Sequence, residues 1–346
     1  MSHHPLASLI HQLRHGEHLT RQQMHDAVLT LLAGELPITP VKEFLLLLAE
    51  RGETVEEIIG AAQALRETMV PLSSRHPIIA DTCGTGGDGS KTFNISTAAA
   101  IVAAAAGVVV AKHGNRRITS STGSADVLAE LGVPMETDTQ VVQQCLETLG
   151  LCFCFAPQFH PAMRHVAEVR RQIPRPTIFN RLGPLANPAR ASHQVLGVGD
   201  PRLQQMMAEA LRGLHTVRSL VVRGEDGVDE LSLSAPSRVL LVTQDSVDEM
   251  LWSPADFGLD VADRRTLHAD SPAESAACIR AVLAGEPGPQ RDVVVMNAAA
   301  TVWLVGLENS LTAAAQRCAD AIDSGTAARL LAELAAHCRR SGSSKN

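Results

Sequence analysis

The sequence predicts an α/β protein: a small all-helical domain, then a larger α/β domain whose mostly parallel central sheet is covered by helices. Three observations predict it. Residues 1–74 carry apolar positions at helical spacing and no β-rich run. From Ile78 onward, short apolar runs alternate with helical patterns, the rhythm of a parallel sheet with helical crossovers. Two of those runs lead through donor-rich loops into helix starts, which places binding loops at the carboxyl ends of strands.

The helical part opens with a segment at 6–13. Thr20 followed by Gln23 is a capping box for a helix running to Leu32. Thr39-Pro40 opens a helix through Ala49, and Thr54 opens one over 55–69. No chemistry is visible there; the region reads as a packing or dimerisation module. The α/β part begins with a short strand at 77–80 and an alanine-rich helix over 98–106. A strand at 108–111 and a helix at 123–131, stopped by Gly132, follow. Thr137 and Gln140 cap a helix to Leu149, and 151–155 is a strand with Cys152 and Cys154 expected on opposite faces. Strands at 195–197 and 220–222 flank a helix over 200–214. The chain closes with helices at 273–283, 311–322 and 326–337, while 293–305 reads as helix with a strand alternative at 293–295. Residues 1–4 and 341–346 read as unstructured ends. A helical segment at 160–178 is expected to join the helical domain, so the division is 1–74 and 75–346.

At 346 residues, 45% hydrophobic and 19% charged, the chain has material for a sizeable core in one large or two ordinary domains. A net charge of -7, 3% aromatics and no tyrosine argue against sequence-independent nucleic-acid binding. Seven cysteines show no paired metal spacing. Their odd number and the absence of a leader-like start suggest reduced thiols in the cytoplasm. The longest apolar run, 98–111, holds 14 residues including Gly107, too short to span a bilayer.

The stretch 81–97 carries the chemistry. Gly84, Gly86, Gly87 and Gly89 let the backbone approach a ligand closely. Free amides at the following helix start suit an anion, and Lys91 with the hydroxyls of Ser90, Thr92, Ser96 and Thr97 adds charge and hydrogen bonds. Three phosphate-binding patterns fit such a cradle. Residues 84–89 satisfy G-x-G-x-x-G, but the next strand ends in Lys112 rather than the acid a dinucleotide ribose wants, which argues against NAD though not strictly against NADP. The P-loop pattern fails because Ser90 separates Gly89 from Lys91-Thr92. The third is a phosphoribosyl-diphosphate site. A second donor-rich loop, 112–126, supplies Lys112, Asn115, Arg116 and Arg117 with several hydroxyls. An acidic turn at 223–231 holds Glu225, Asp226, Asp229 and Glu230, hard oxygen ligands that suggest Mg²⁺ beside phosphate. Between Phe159 and Pro188 lie Arg164, Arg170, Arg171 and Arg175 with rigid proline-rich loops, composition suited to lining an anion site.

These residues resemble the anthranilate phosphoribosyltransferase family. The likeness lies in the runs 52–58, 84–88, 94–97, 112–116, 123–126, 160–163, 183–185, 226–230 and 297–300. It implies a homodimer formed through the helical domain, no nucleic-acid or membrane partner, and transfer of phosphoribose from phosphoribosyl diphosphate to the amine of anthranilate. Carried over by motif, the phosphoribosyl-diphosphate site would comprise Gly84, Gly87, Asp88, Thr92, Asn94, Ile95, Ser96, Thr97, Lys112, His113, Gly114, Asn115, Arg116, Arg117, Ile118, Thr119, Ser120 and Ser124. Anthranilate would contact Gly84, Asn115 and Arg170. Ser96, Asp229 and Glu230 would ligate Mg²⁺, two ions per active site, and no residue would act as a covalent nucleophile. The chain departs from the family pattern at Glu168, at 174–176, at Arg181 and at Arg223, mostly near the aromatic-acid side. Rival expectations are a pyrimidine nucleoside phosphorylase-like enzyme, a non-catalytic relative that binds sugar phosphate or nucleic acid, and a dehydrogenase.

Overall fold

The computed structural model describes residues 5–86, 89–116 and 123–340. Both ends read above as unstructured lie outside them. The chain begins with helices α1 (Ala7–Arg14), α2 (Arg21–Ala33), α3 (Ile38–Arg51) and α4 (Val55–Thr68). Thr20 and Thr54 each form the full reciprocal capping box, with Gln23 and Glu57. Helix α3 starts earlier than expected: Pro37 is its N-cap, and Pro40 sits in the first turn, where a missing N–H costs nothing. Helices α2 and α4 pack so closely that a Cβ on Gly60 would stand 2.2 Å from the Arg21 carbonyl oxygen.

The remainder builds one seven-stranded sheet. Its strands are β1 (Ala80–Gly84), β2 (Val110–Gly114), β3 (Leu151–Phe155), β4 (His193–Gly197), β5 (Arg218–Gly224), β6 (Ser237–Thr243) and β7 (Val247–Trp252). The order is β3-β2-β1-β4-β5-β6-β7. Pairing is parallel from β3 through β5 and antiparallel from β5 to β7. The covering helices are α5 (Ile95–Ala105), α6 (Ser124–Glu130), α7 (Thr139–Leu149), α8 (Ala156–Phe159), α9 (Arg164–Arg171), α10 (Phe179–Leu182), α11 (Pro201–Gly213), α12 (Pro272–Leu283), α13 (Pro289–Leu304), α14 (Leu311–Asp323) and α15 (Thr326–Arg340).

Several sequence expectations are corrected. Strands β1 and β2 lie later than their apolar runs and take in Asp81-Thr82-Cys83-Gly84 and Lys112-His113-Gly114. Backbone pairing with β4 and β3 holds these polar residues extended. Cys152 and Cys154 share a face, with their sulfurs 4.0 Å apart, because a strand repeats every two residues. Helix α7 is capped by Asp138, which accepts from the Gln140 amide, while Thr137 donates to the Pro134 carbonyl. Residues 293–295 are helical, inside α13. The hairpin β6–β7 was not foreseen: six residues of β7 hold one buried side chain, Trp252.

Two apolar cores flank the sheet. One joins α5, α6, α7, α13, α14 and α15 to the face bearing Ala80, Val110 and Leu220. The other joins α1 to α4 with Val166, Val169, Phe179 and Leu182, and continues through α11 to the face bearing Leu196, Val221 and Leu240. Helix α9 packs on α2 and α3, so the 164–182 region returns to the helical layer after the chain has entered the sheet. Strand β1 lies mid-sheet, and the carboxyl ends of β1 and β2 open between these layers.

Candidate active site

A cavity of about 890 Å³ lies at the carboxyl ends of β1 and β2. Its walls include Gly84, Thr92, Asn94, Ile95, Ser96, Lys112, His113, Gly114, Asn115, Arg116, Ser124, Arg170, Asp229 and Glu230. The structure thus brings together three loops and a helix that lie far apart in the chain. Thr97 is not among the walls: it is buried, its amide and hydroxyl both directed to Asn94 Oδ1 in the α5 cap. Gly87, Asp88, Arg117, Ile118, Thr119 and Ser120 lie outside the described residues.

The glycine loop is tied to the acidic turn. The Gly86 amide donates to Asp229 Oδ2 at 3.1 Å. A Cβ on Gly84 would meet that same oxygen at 2.6 Å, so any larger residue there would displace the Asp229 carboxylate. Of the four carboxylates in the turn, Asp229 and Glu230 line the cavity, whereas Asp226 accepts from Ser232 Oγ at 2.8 Å and serves the turn itself. Asn94 fixes the start of α5 from both sides, since its amide donates to Ser275 Oγ at 2.8 Å.

Lys112 is buried, yet its ammonium lies among oxygens. It donates to the Thr82 carbonyl and, at 3.3 Å, to Ser96 Oγ. Burial lowers its pKa, and the nearby Asp81 carboxylate opposes that shift. Asp81 is itself fully buried, accepts from the His113 amide at 3.1 Å and from Asn187 Nδ2 at 2.8 Å, and has its pKa raised by burial. This Asp81–Lys112 arrangement sets a buried cation beside Ser96 at the cavity wall. The second loop begins with an equally close contact: a Cβ on Gly114 would stand 2.2 Å from Ser124 Oγ.

Sequence reasoning did not place His160 in the site. His160 and His113 both line the cavity, with ring centroids 5.0 Å apart. His113 Nδ1 donates to the Gly183 carbonyl at 3.0 Å, and its buried Nε2 has no partner among the described residues. Desolvation pushes His113 down to about 4 and His160 down to about 3. The cavity therefore holds two neutral imidazoles at neutral pH. The run beginning at His160 carried a signal as a motif, but nothing in it pointed to a ring beside His113.

Arg170 is the other notable cation. Its guanidinium lies 5.7 Å from the Phe179 ring centroid and donates weakly, at 3.4 Å, to Asn180 Oδ1. Burial alone lowers its pKa, and no carboxylate pairs with it among the described residues. A half-buried guanidinium with no carboxylate partner among the described residues suits a ligand carboxylate. Among the described residues no helix is long and apolar enough to cross a membrane. Nor do three or more His, Cys, Asp or Glu side chains stand together as a metal cluster among them.

The chain matches the helical bundle domain of a glycosyl transferase family over residues 7–69 and its a/b domain over 76–328. It is 48% identical to an anthranilate phosphoribosyltransferase of Rhodopirellula baltica, over 93% of this chain and 94% of that one. The chain belongs to the anthranilate phosphoribosyltransferase family. A crystal structure of the anthranilate phosphoribosyltransferase from Thermus thermophilus superposes with a TM-score of 0.89 at 42% identity, covering 95% of this chain and 99% of that one. The enzyme from Saccharomyces cerevisiae, in complex with PRPP and Mg, superposes with a TM-score of 0.90 at 28% identity, covering 98% and 99%. Family membership makes the chain a glycosyltransferase, and its small helical domain and larger, mostly parallel α/β domain match these structures.

The two neutral histidines give a pH prediction for this family member. Unfolded histidine titrates near 6.5, so between that value and the depressed folded values the unfolded state binds more protons. Stability contributed by the pair is full above about pH 6.5 and is lost as pH falls toward the folded values. Buried Asp81 and Glu53, both raised, act in the opposite sense in the carboxylate range. The test therefore compares melting temperatures between about pH 5 and 6.5. The wild type should lose stability on acidification across that window, and His160→Gln should flatten the slope. An unaltered slope would mean that His160 is not buried neutral.

Proposed function

We propose that the cavity transfers the phosphoribosyl group of 5-phosphoribosyl 1-diphosphate to the amine of anthranilate, giving N-(5-phosphoribosyl)anthranilate and pyrophosphate, a step of tryptophan biosynthesis. The observation that carries it is the pairing, in one cavity, of a buried cation beside Ser96 and a second, half-buried cation with no carboxylate partner among the described residues. Lys112 with the 84–86 loop and the α5 start suits the diphosphate. Arg170 suits the carboxylate of an aromatic acid. Asn115, whose Oδ1 accepts from the Arg116 amide at 2.7 Å, and Gly84 also line the cavity.

Breaking the bond between ribose and diphosphate builds positive charge on the sugar and negative charge on the leaving group. The chain's task is electrostatic: Lys112 and the loop amides stabilise the departing oxygens. Ser96, Asp229 and Glu230 offer only oxygen donors, fitting a hard divalent cation that takes its remaining ligands from phosphate and water. Mg²⁺ bound there would neutralise pyrophosphate charge; two ions per site is our reading. The acceptor amine is a neutral nucleophile and needs orientation more than deprotonation. Arg170 supplies that orientation, and no covalent nucleophile is required. Supporting this reading, the yeast relative's structures include one with PRPP and Mg and one with 4-fluoroanthranilate.

We further read residues 1–74 as a domain that pairs two copies of the chain, 75–346 as the substrate-binding domain joined to it by 160–178, and the cytoplasm as its location. The deciding experiment follows anthranilate fluorescence with phosphoribosyl diphosphate, with and without Mg²⁺. Metal-dependent loss of anthranilate is expected. Donor binding with anthranilate intact would overturn the acceptor assignment, and phosphorolysis of thymidine or uridine would favour the phosphorylase alternative.

A further inference from the structure

We propose that Arg181 is a positioning residue for the acceptor: its ion pair with Glu53 fixes the short helix α10, and α10 fixes Arg170. The proposal rests on the reading that Arg170 receives the acceptor carboxylate.

Three consecutive residues of α10 face different tasks. Phe179 lies beneath the Arg170 guanidinium, with its centroid 5.7 Å away. Asn180 Oδ1 accepts from Arg170 Nη2 at 3.4 Å and from the Thr177 amide at 3.0 Å. Arg181 turns away from the cavity, and its Nη1 donates to Glu53 Oε2 in the link between α3 and α4. The Glu53 side chain is 2% exposed, so its carboxylate is a charge held out of water. Burial raises its pKa, and Arg181 is the largest opposing influence. A buried charge whose ion-pair partner is Arg181, with Arg51 a weaker cationic influence, holds that partner's position, because separation would leave it poorly compensated.

The helix has four residues and cannot hold its own conformation. Its place must come from what it touches. Phe179 and Leu182 sit in the core of the helical layer, and the next residues are held by Arg66, which donates to the Leu185 carbonyl at 2.6 Å. Those contacts seat one face of α10, and the Arg181–Glu53 pair ties the helix to the link between α3 and α4 as well. A turn of α10 about its axis would move Asn180 and Phe179 together, and with them the guanidinium. Arg175 lies 3.9 Å from Glu50 in an exposed pair of the same polarity, a weaker tie of the same segment to α3. Acceptor geometry would then be set by the helical layer, while donor geometry is set by the sheet.

The test is steady-state kinetics on the full chain, varying each substrate in turn. Arg181→Met should raise the KM for anthranilate about tenfold, leaving the KM for phosphoribosyl diphosphate within about twofold. Arg181→Lys should recover most of that loss by restoring the charge. Arg170→Gln should raise the anthranilate KM further, and Arg170→Gln with Arg181→Met should match Arg170→Gln alone, since one residue acts through the other. If Arg181→Met fails to fold, Glu53→Gln with Arg181→Gln removes both charges and should show the same selective rise. Equal rises for both substrates, multiplying effects in the double variant, or no change would overturn the proposal. If Arg170→Gln leaves the anthranilate KM unchanged, the acceptor reading itself fails and the proposal with it. A rise with Arg170→Gln but none with Arg181→Met sinks the Arg181 role alone.

Discussion

Replacing Asp229 by Asn and Glu230 by Gln together should lower turnover about a thousandfold, several kcal/mol of transition-state stabilisation. Both side chains line the cavity, and Asp229 is tied to the phosphate loop through the Gly86 amide. The amides are nearly isosteric with the acids, so packing is kept. The side-chain amide introduced by Asp229→Asn retains a carbonyl oxygen to accept from the Gly86 amide, so the loop anchor survives. What is lost is two negative charges on the wall that Ser96 shares, the feature that would hold a divalent cation. Asp229→Asn alone should cost less than the pair if Glu230 still ligates. The measurement is turnover against Mg²⁺ concentration. The double variant should need much more Mg²⁺ to reach its own reduced maximum. Wild-type kinetics in the double variant would sink the metal assignment, and a loss that Mg²⁺ never changes would make the pair structural.

Much of this site was legible in sequence, because loops that bind phosphate announce themselves by composition. Glycines, hydroxyls and a base between a strand and a helix start are a local signal, and those loops do meet in one cavity. The acidic turn was legible as four carboxylates, of which the family resemblance singled out Asp229 and Glu230, the two that line the cavity. Asp226 is instead held by the turn: its carboxylate accepts from Ser232 Oγ, and its carbonyl from Arg264. His160 and Asn180 were missed because their roles depend on distant neighbours, His113 and Arg170. The fold class followed from alternation of apolar runs. Strand bounds did not, because β1 and β2 end in polar residues whose extension is imposed by β4 and β3. The β6–β7 hairpin escaped because a half-exposed edge strand such as Val247–Trp252 has a weak apolar pattern. The cysteine pair shows a simpler rule left unapplied: residues two apart on a strand share a face.

Gly197→Ala should be the most damaging single methyl in the chain's sheet. Gly197 ends β4, opposite Gly84 of β1, and its carbonyl accepts from the Thr85 amide at 2.9 Å. A Cβ there would lie 1.6 Å from the Asp229 carbonyl oxygen and 2.6 Å from its carbonyl carbon. Both are backbone atoms, so no rotamer change relieves the overlap. Either β4 or the acidic turn must move, at about 3 kcal/mol of stability. A moved turn carries Asp229 and Glu230 with it, so turnover should fall as well. Two other glycines separate the causes. Gly84→Ala would meet Asp229 Oδ2 at 2.6 Å, the end of a side chain that can swing, so activity should fall with less loss of stability. Gly227→Ala meets nothing within 4 Å but sits at φ +95, so it should cost about 1 kcal/mol from backbone strain and leave the carboxylates near their places. Thermal unfolding and turnover measured on the three variants should rank Gly197→Ala worst in both, Gly84→Ala second in activity, and Gly227→Ala mildest in activity. Wild-type stability in Gly197→Ala would mean that β4 and the turn are not in contact, and the coupling between sheet and acidic pair would be gone.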